Sequence, residues 1–182
     1  DVYKRQTLNL ADLALKIAEA DAERQPLLAA AGFLLLIVFG LKAAVLPLYF
    51  WLPSAYAAAT APVAALFAIM TKVGLYAIVR VFTLLFGSQA GGLAHLVDGL
   101  LWPLAMLTLA AGVIGALAVR SFERLIGYLV IVSVGTLLAG IALGTAASLS
   151  GALFYLIHSS WICAALFLLA DLVARQLSLI HI

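Results

Sequence analysis

Five apolar runs constrain this chain more than any other feature. Each has about the twenty residues that a helix needs to cross the hydrocarbon core of a bilayer. They cover residues 27–49, 60–86, 101–119, 124–145 and 150–171, with short connections between them. No water reaches backbone groups in lipid, so each run must satisfy its own N–H and C=O groups as a helix. Short connections make neighbouring runs antiparallel. The fold class expected is therefore all-α, a polytopic transmembrane helix bundle.

Composition supports this and excludes a soluble domain. Apolar residues make up 66% of the chain and the mean hydropathy is +1.22. Residues 1–25 hold nine of the eighteen charged residues, and residues 26–170 hold only seven. The basic residues are scattered and form no patch for nucleic acid. One cysteine, Cys163, excludes an internal disulfide and a multi-cysteine metal site. There is no phosphate-binding or dinucleotide-binding glycine motif and no HExxH, and three dispersed histidines do not make a metal site. The chain carries no sign of a cofactor or of a catalytic group.

Residues 1–26 read as an extramembrane segment with an amphipathic helix over 9–20. Asn9 can cap it, and Leu10, Leu13, Ala14 and Ile17 line one face. Such a helix lies along a membrane interface, or serves as a linker in a soluble loop. Pro26 suits the first turn of the next helix. Residues 172–182 read as a truncated loop. The chain starts at Asp1, lacks a signal peptide, and its first six residues, DVYKRQ, do not join the pattern that follows. It is expected to be a piece of a longer protein. Arg120 and Arg124 between the third and fourth runs, and Arg175 after the fifth, fall on one side with the uncharged loop 50–59. The positive-inside rule places that side in the cytoplasm of a bacterial inner membrane.

Two lysines stand inside apolar runs. Lys42 lies in GFLLLIVFGLKAAVLPLYFWLP and Lys72 in APVAALFAIMTKVGLYAIVRVFTLLF. A lysine at mid-span needs a polar environment, and two of them point to an ion or proton route. The alternative is that one or both snorkel to the headgroup layer. Pro47 removes a backbone donor just after Lys42 and is expected to free a carbonyl near Ala43. No carboxylate lies mid-span, so a partner for Lys42 must come from elsewhere. Thr71 adds a hydroxyl beside Lys72. His158, with Tyr155 and Ser159, can order water and exchange protons, or simply bond a neighbouring helix. Ser133 and Thr136 are read as bonding their own backbone. Gly112 and Gly115, like Gly140 and Gly144, can let helices approach closely. Arg80 reads as interfacial, and Met70 and Met106 as packing.

Residues 40–53, GLKAAVLPLYFWLP, resemble the signature of the antiporter-like membrane subunits of respiratory complex I and of Mrp-type cation/proton antiporters. YAAATAPVAALFAIMTKVGLYAI and FYLIHSSWICAALFLLADLVARQ extend the likeness over about residues 7–177, with the Mrp branch nearest. The resemblance implies inverted five-helix repeats, each with a broken helix. It implies that Lys42 is a central proton-transfer residue in such a break and Lys72 a second protonatable position. Tyr128 and Ser133 fall in a polar run near the proton path. Some relatives carry a lysine a few residues after the position of His158, where this chain has Cys163. That leaves His158 as the titratable group within the fifth run.

The glutamate that pairs with the first lysine lies in an earlier helix, and the chain is expected to be about a third of a subunit. The function implied is proton translocation in a monovalent cation (Na+ or K+)/proton antiporter. Its partners would be other membrane subunits, the lipid bilayer, and the protons and Na+ or K+ it carries. The alternative is an antiporter-like, proton-pumping subunit of NADH:quinone oxidoreductase.

Overall fold

The computed structural model describes residues 9–180, with side chains as far as residue 176. The DVYKRQ segment therefore lies outside the described residues. Seven α-helices follow in order: α1 Leu10–Ala18, α2 Gln25–Ala43, α3 Trp51–Ala58, α4 Ala61–Leu85, α5 Asp98–Ala118, α6 Phe122–Ala142 and α7 Ala146–Ile180. A single 3-10 turn, Gly91–Leu93, interrupts the connection from α4 to α5. Among the described residues five segments are long and apolar enough to cross a membrane, those built on α2, α4, α5, α6 and α7.

The first crossing differs from the expected run 27–49. Helix α2 stops at Ala43 because Ala44 takes a left-handed conformation (φ 58°, ψ 45°). The chain then turns, with a cis Leu46–Pro47 peptide, and resumes as α3 in place of the expected loop over 50–59. Pro47 thus follows the end of the helix instead of disturbing its interior. Helix α3 carries on toward the end of the bundle where α6 begins: a Cβ on Gly127 would lie 3.0 Å from the Cα of Pro53. The crossing is a discontinuous span, α2 plus α3.

The last crossing also differs. Residues beyond 171 continue α7 as helix to Ile180 instead of forming a loop. No glycine or proline stops it, and Arg175 pairs with Asp171 one turn back at 2.9 Å.

At one end of the bundle Ala57, Arg120 and Arg124 share a cavity, and Thr60, Glu123, Asp171 and Arg175 line the next. At the other end Thr83, Gly87, His95 and Gly144 come together. Helix α1 packs there too. Asn9 caps it by accepting from the Ala11 N–H at 3.0 Å, and Ile17 is buried, with Leu13 and Ala14 packed beside it on the bundle. The Lys16–Asp12 pair stays on its outer side. So α1 is docked on protein, through the apolar face that its periodicity gives.

Helices α5 and α6 form a tight hairpin. A Cβ on Gly135 would sit 2.6 Å from the amide nitrogen of Leu109, and one on Gly112 would sit 2.8 Å from that of Val132. Gly115 leaves room for the Tyr128 ring in the same seam. Gly140 lies against Ala152, whereas Gly144 has open space around it and a φ of +66°: it turns the chain and packs nothing. Half of the most apolar window of α6 is buried, more than in any other span, so α6 is the central helix.

Candidate proton-transfer site

The site is built at mid-depth from α4, α6 and the break after α2. Lys72 lies next to the midpoint of α4 and is 1% exposed. Its Nζ donates to Ser133 Oγ on α6 at 2.6 Å. Ser133 in turn donates to the carbonyl of Val130 at 2.7 Å. The reading of Ser133 as bonded to its own backbone is half of what it does; the hydroxyl also accepts the lysine. Lys72 does not snorkel. Its stem is enclosed and its ammonium group meets a hydroxyl where lipid-facing residues would offer nothing.

Lys42 occupies the last turn of α2 and is exposed on the surface of this chain. Its depth is fixed by its neighbour. A Cβ on Gly74 would fall 2.8 Å from the backbone nitrogen of Ala43 and 3.0 Å from the carbonyl oxygen of Phe39. Backbone therefore meets backbone where Lys42 and Lys72 each stand within two residues, and the two lysines share a level. Lys72 turns inward to α6, and Lys42 turns outward.

The break is closed by side chains from two helices. Trp51 Nε1 donates to the carbonyl of Leu41 at 3.1 Å, a second bond to an acceptor in the last turn of α2 that also takes the Ala44 N–H. Thr108 Oγ1 on α5 accepts the Leu46 N–H at 3.1 Å. Neither role is legible in the sequence. Trp51 sits in the motif with no sign of which carbonyl it would meet. Thr108 attracts no notice, although a lone hydroxyl in the apolar run 101–119 is the available signal.

The remaining expected residues fall as follows. Thr71 is buried, and its hydroxyl donates to the carbonyl of Ala68 at 3.4 Å. Tyr128 fills the α5–α6 seam. Ser159 is buried and bonds the carbonyl of Leu156 at 3.3 Å. His158 is exposed on the outward face of α7 and stacks on Phe154 with ring centroids 6.3 Å apart. The expected cluster of Tyr155, His158 and Ser159 is therefore split between two faces of α7. Cys163 is buried beside Tyr56 and Phe167, within electrostatic range of Lys72. Tyr56 donates to the carbonyl of Phe67 at 2.5 Å and lines, with Glu123 and Asp171, a cavity of about 320 Å³. Among the described residues no cluster of histidine, cysteine and carboxylates could hold a metal ion.

A discontinuous span, a buried lysine on a hydroxyl and a second lysine at the break define a multi-pass helical membrane protein with titratable groups at mid-depth. The family model of the NADH:quinone oxidoreductase/Mrp antiporter transmembrane region matches residues 3–180, and the chain belongs to that family.

A protein of Rhizobium meliloti (strain 1021), named as a probable K+/H+ antiporter subunit, is 48% identical over 169 residues, 93% of this chain and 31% of that protein. A Na+/H+ antiporter subunit of Bacillus subtilis (strain 168) is 48% identical over 165 residues, 90% of this chain and 32% of its own length. The solved Mrp complex from Dietzia sp. DQ12-45-1b contains a chain that superposes with a TM-score of 0.75 at 30% identity, covering 92% of this chain and 30% of that one. The chain thus spans about a third of the length of the curated relatives it matches.

Proposed function

We propose that this chain is part of a proton-translocating subunit of a multisubunit monovalent cation (Na+ or K+)/proton antiporter, a secondary transporter with no catalytic chemistry of its own. The observation that carries the reading is Lys72: a lysine enclosed at mid-depth, bonded to Ser133, level with Lys42 at a helix break. An ammonium group there can hold a proton, release it to water and be recharged, because a hydroxyl tolerates both states by rotating. Lys42, on the open side, is placed to exchange protons with a carboxylate on a helix outside this chain. His158 is a third station, reached from the outward face of α7.

Two relatives at 48% identity named as antiporter subunits favour this reading over the proton-pumping subunit of NADH:quinone oxidoreductase, although the matching family includes both. The implied surroundings are a bacterial inner membrane, with the Arg120–Arg124 end in the cytoplasm and other membrane subunits alongside.

The test uses the complete subunit in its assembled complex, in vesicles. Lys72→Ala and Lys42→Ala are each expected to remove most proton-coupled Na+ or K+ exchange at normal assembly. Lys42→Arg is expected to be poor as well, because a guanidinium group keeps its proton. Undiminished exchange in the assembled Lys72→Ala complex would remove this reading.

A further inference from the structure

We infer that Thr108 is a positioning residue for proton transfer: its hydroxyl holds the break that presents Lys42. This rests on the proton-transfer reading given for Lys42.

In a membrane interior each N–H that leaves a helix needs a partner. After α2 ends, the Ala44 N–H goes to the carbonyl of Leu41 at 3.2 Å and the Val45 N–H to that of Gly40 at 2.9 Å. The Leu48 N–H goes to the carbonyl of Val45 at 2.8 Å, and Pro47 has no N–H to place. These bonds are local to the turn. The Leu46 N–H is the one donor from Ala44 to Leu48 that is satisfied from another helix, by Thr108 Oγ1 at 3.1 Å, across 62 positions of sequence.

Thr108 is fully committed to this task. It is 0% exposed, and its own proton goes to the carbonyl of Leu104 at 2.6 Å, which aims a lone pair at the break. It stands at the midpoint of α5. A hydroxyl at that depth on an otherwise apolar helix costs free energy unless it is bonded, and here both of its functions are used. Leu46 follows Lys42 by four residues, so the anchored amide sets where the last turn of α2 ends and which way Lys42 leaves it.

The experiment compares Thr108→Val, Thr108→Ala and Thr108→Ser in the complete subunit and its assembled complex. Proton-coupled cation exchange is measured per assembled complex across pH. Thr108→Val keeps the volume and loses the acceptor. It is expected to lower turnover by about tenfold, since small misplacements of a reacting group carry losses of this order or more. It is also expected to change the pH profile of exchange. Thr108→Ala is the second variant, free of the added methyl contact, and is expected to do the same. Thr108→Ser keeps the hydroxyl and is expected to restore both turnover and profile.

Wild-type turnover and profile in Thr108→Val would overturn the inference. So would a Thr108→Ser complex as impaired as Thr108→Val, because the hydroxyl would then not be the agent. Failure of both Val and Ala variants to assemble would also overturn it, assigning the hydroxyl to folding. The Lys42→Ala complex separates this inference from the functional reading. If Lys42→Ala abolishes exchange while Thr108→Val is normal, only the role of Thr108 falls. If Lys42→Ala exchanges normally, the proton-transfer reading of Lys42 falls first.

Discussion

Lys72 of α4 and Ser133 of α6 are joined by a 2.6 Å hydrogen bond at the middle of both helices. The pair bridges the two buried clusters of the bundle, one centred on Leu75, Ile78 and Leu138, the other on Tyr56, Ile126 and Ile131. It is a polar contact between two helices that otherwise meet there through apolar side chains. On the proposed reading, its members are the residues whose replacement separates proton handling from packing.

Ser133→Ala leaves the Lys72 ammonium group enclosed without its acceptor. Stranding a buried donor costs about 1–3 kcal/mol, more when it is charged. The expected result is a complex that assembles but exchanges several-fold more slowly than wild type, with Ser133→Thr closer to normal. Exchange assays on vesicles holding matched amounts of complex measure this. Equal rates for Ser133→Ala and wild type would show that Lys72 finds another acceptor.

His158→Ala is expected to be milder than Lys72→Ala. The ring lies on the outward face of α7 against Phe154, apart from the buried Lys72. A slower rate or a displaced pH optimum is the expected readout. Complete loss at normal assembly would place His158 in the route as firmly as Lys72.

The seam between α5 and α6 gives a stability prediction. Gly135→Val would force its side chain into the backbone at Leu109. Overpacking of this kind costs about 1–3 kcal/mol, and here backbone must move. The expected outcome is a large drop in assembled complex and in its melting temperature. Gly151→Ala is the control, because nothing lies within 4 Å of its added Cβ and Ala favours a helix. It is expected to be neutral or slightly stabilising.

Orientation is tested with single cysteines in a Cys163→Ser background. A label near residue 122 and one near residue 59 should be protected from an impermeant reagent applied outside, while one near residue 88 should react. The grouping of Thr60, Glu123 and Arg175 at one end and Gly87, His95 and Gly144 at the other makes the first two behave alike. Reaction at residue 122 from outside would invert the assignment.

The crossings are legible in the sequence because apolar length is a strong signal: in lipid, length and hydropathy leave helix as the solution. The Leu10, Leu13, Ala14 and Ile17 face of α1 is legible from its period. The break is legible in part, from Pro47, which points to a disturbed helix near Ala43, and from the family resemblance; the turn that makes it is not. An alanine, Ala44, adopts the left-handed turn that ends α2, and nothing in its residue type announces that. Nor can period alone show α3 inside an uncharged loop. The candidate site divides in the same way. Lys72 stands out because a charge in lipid is conspicuous. Thr108 does not, since one threonine in a long span is usually bonded to its own helix, and only the tertiary fold reveals the second bond to Leu46.

The tight α5–α6 hairpin places Thr108 beside Leu109 and Ser133 beside Val132, the two points where the backbones touch. One hydroxyl grips the break that follows Lys42 and the other receives Lys72. Both lysines are thus tied to one hairpin, Lys72 directly and Lys42 through the break that follows it. On the proton-transfer reading proposed above, the hairpin is then the common frame against which both stations are set.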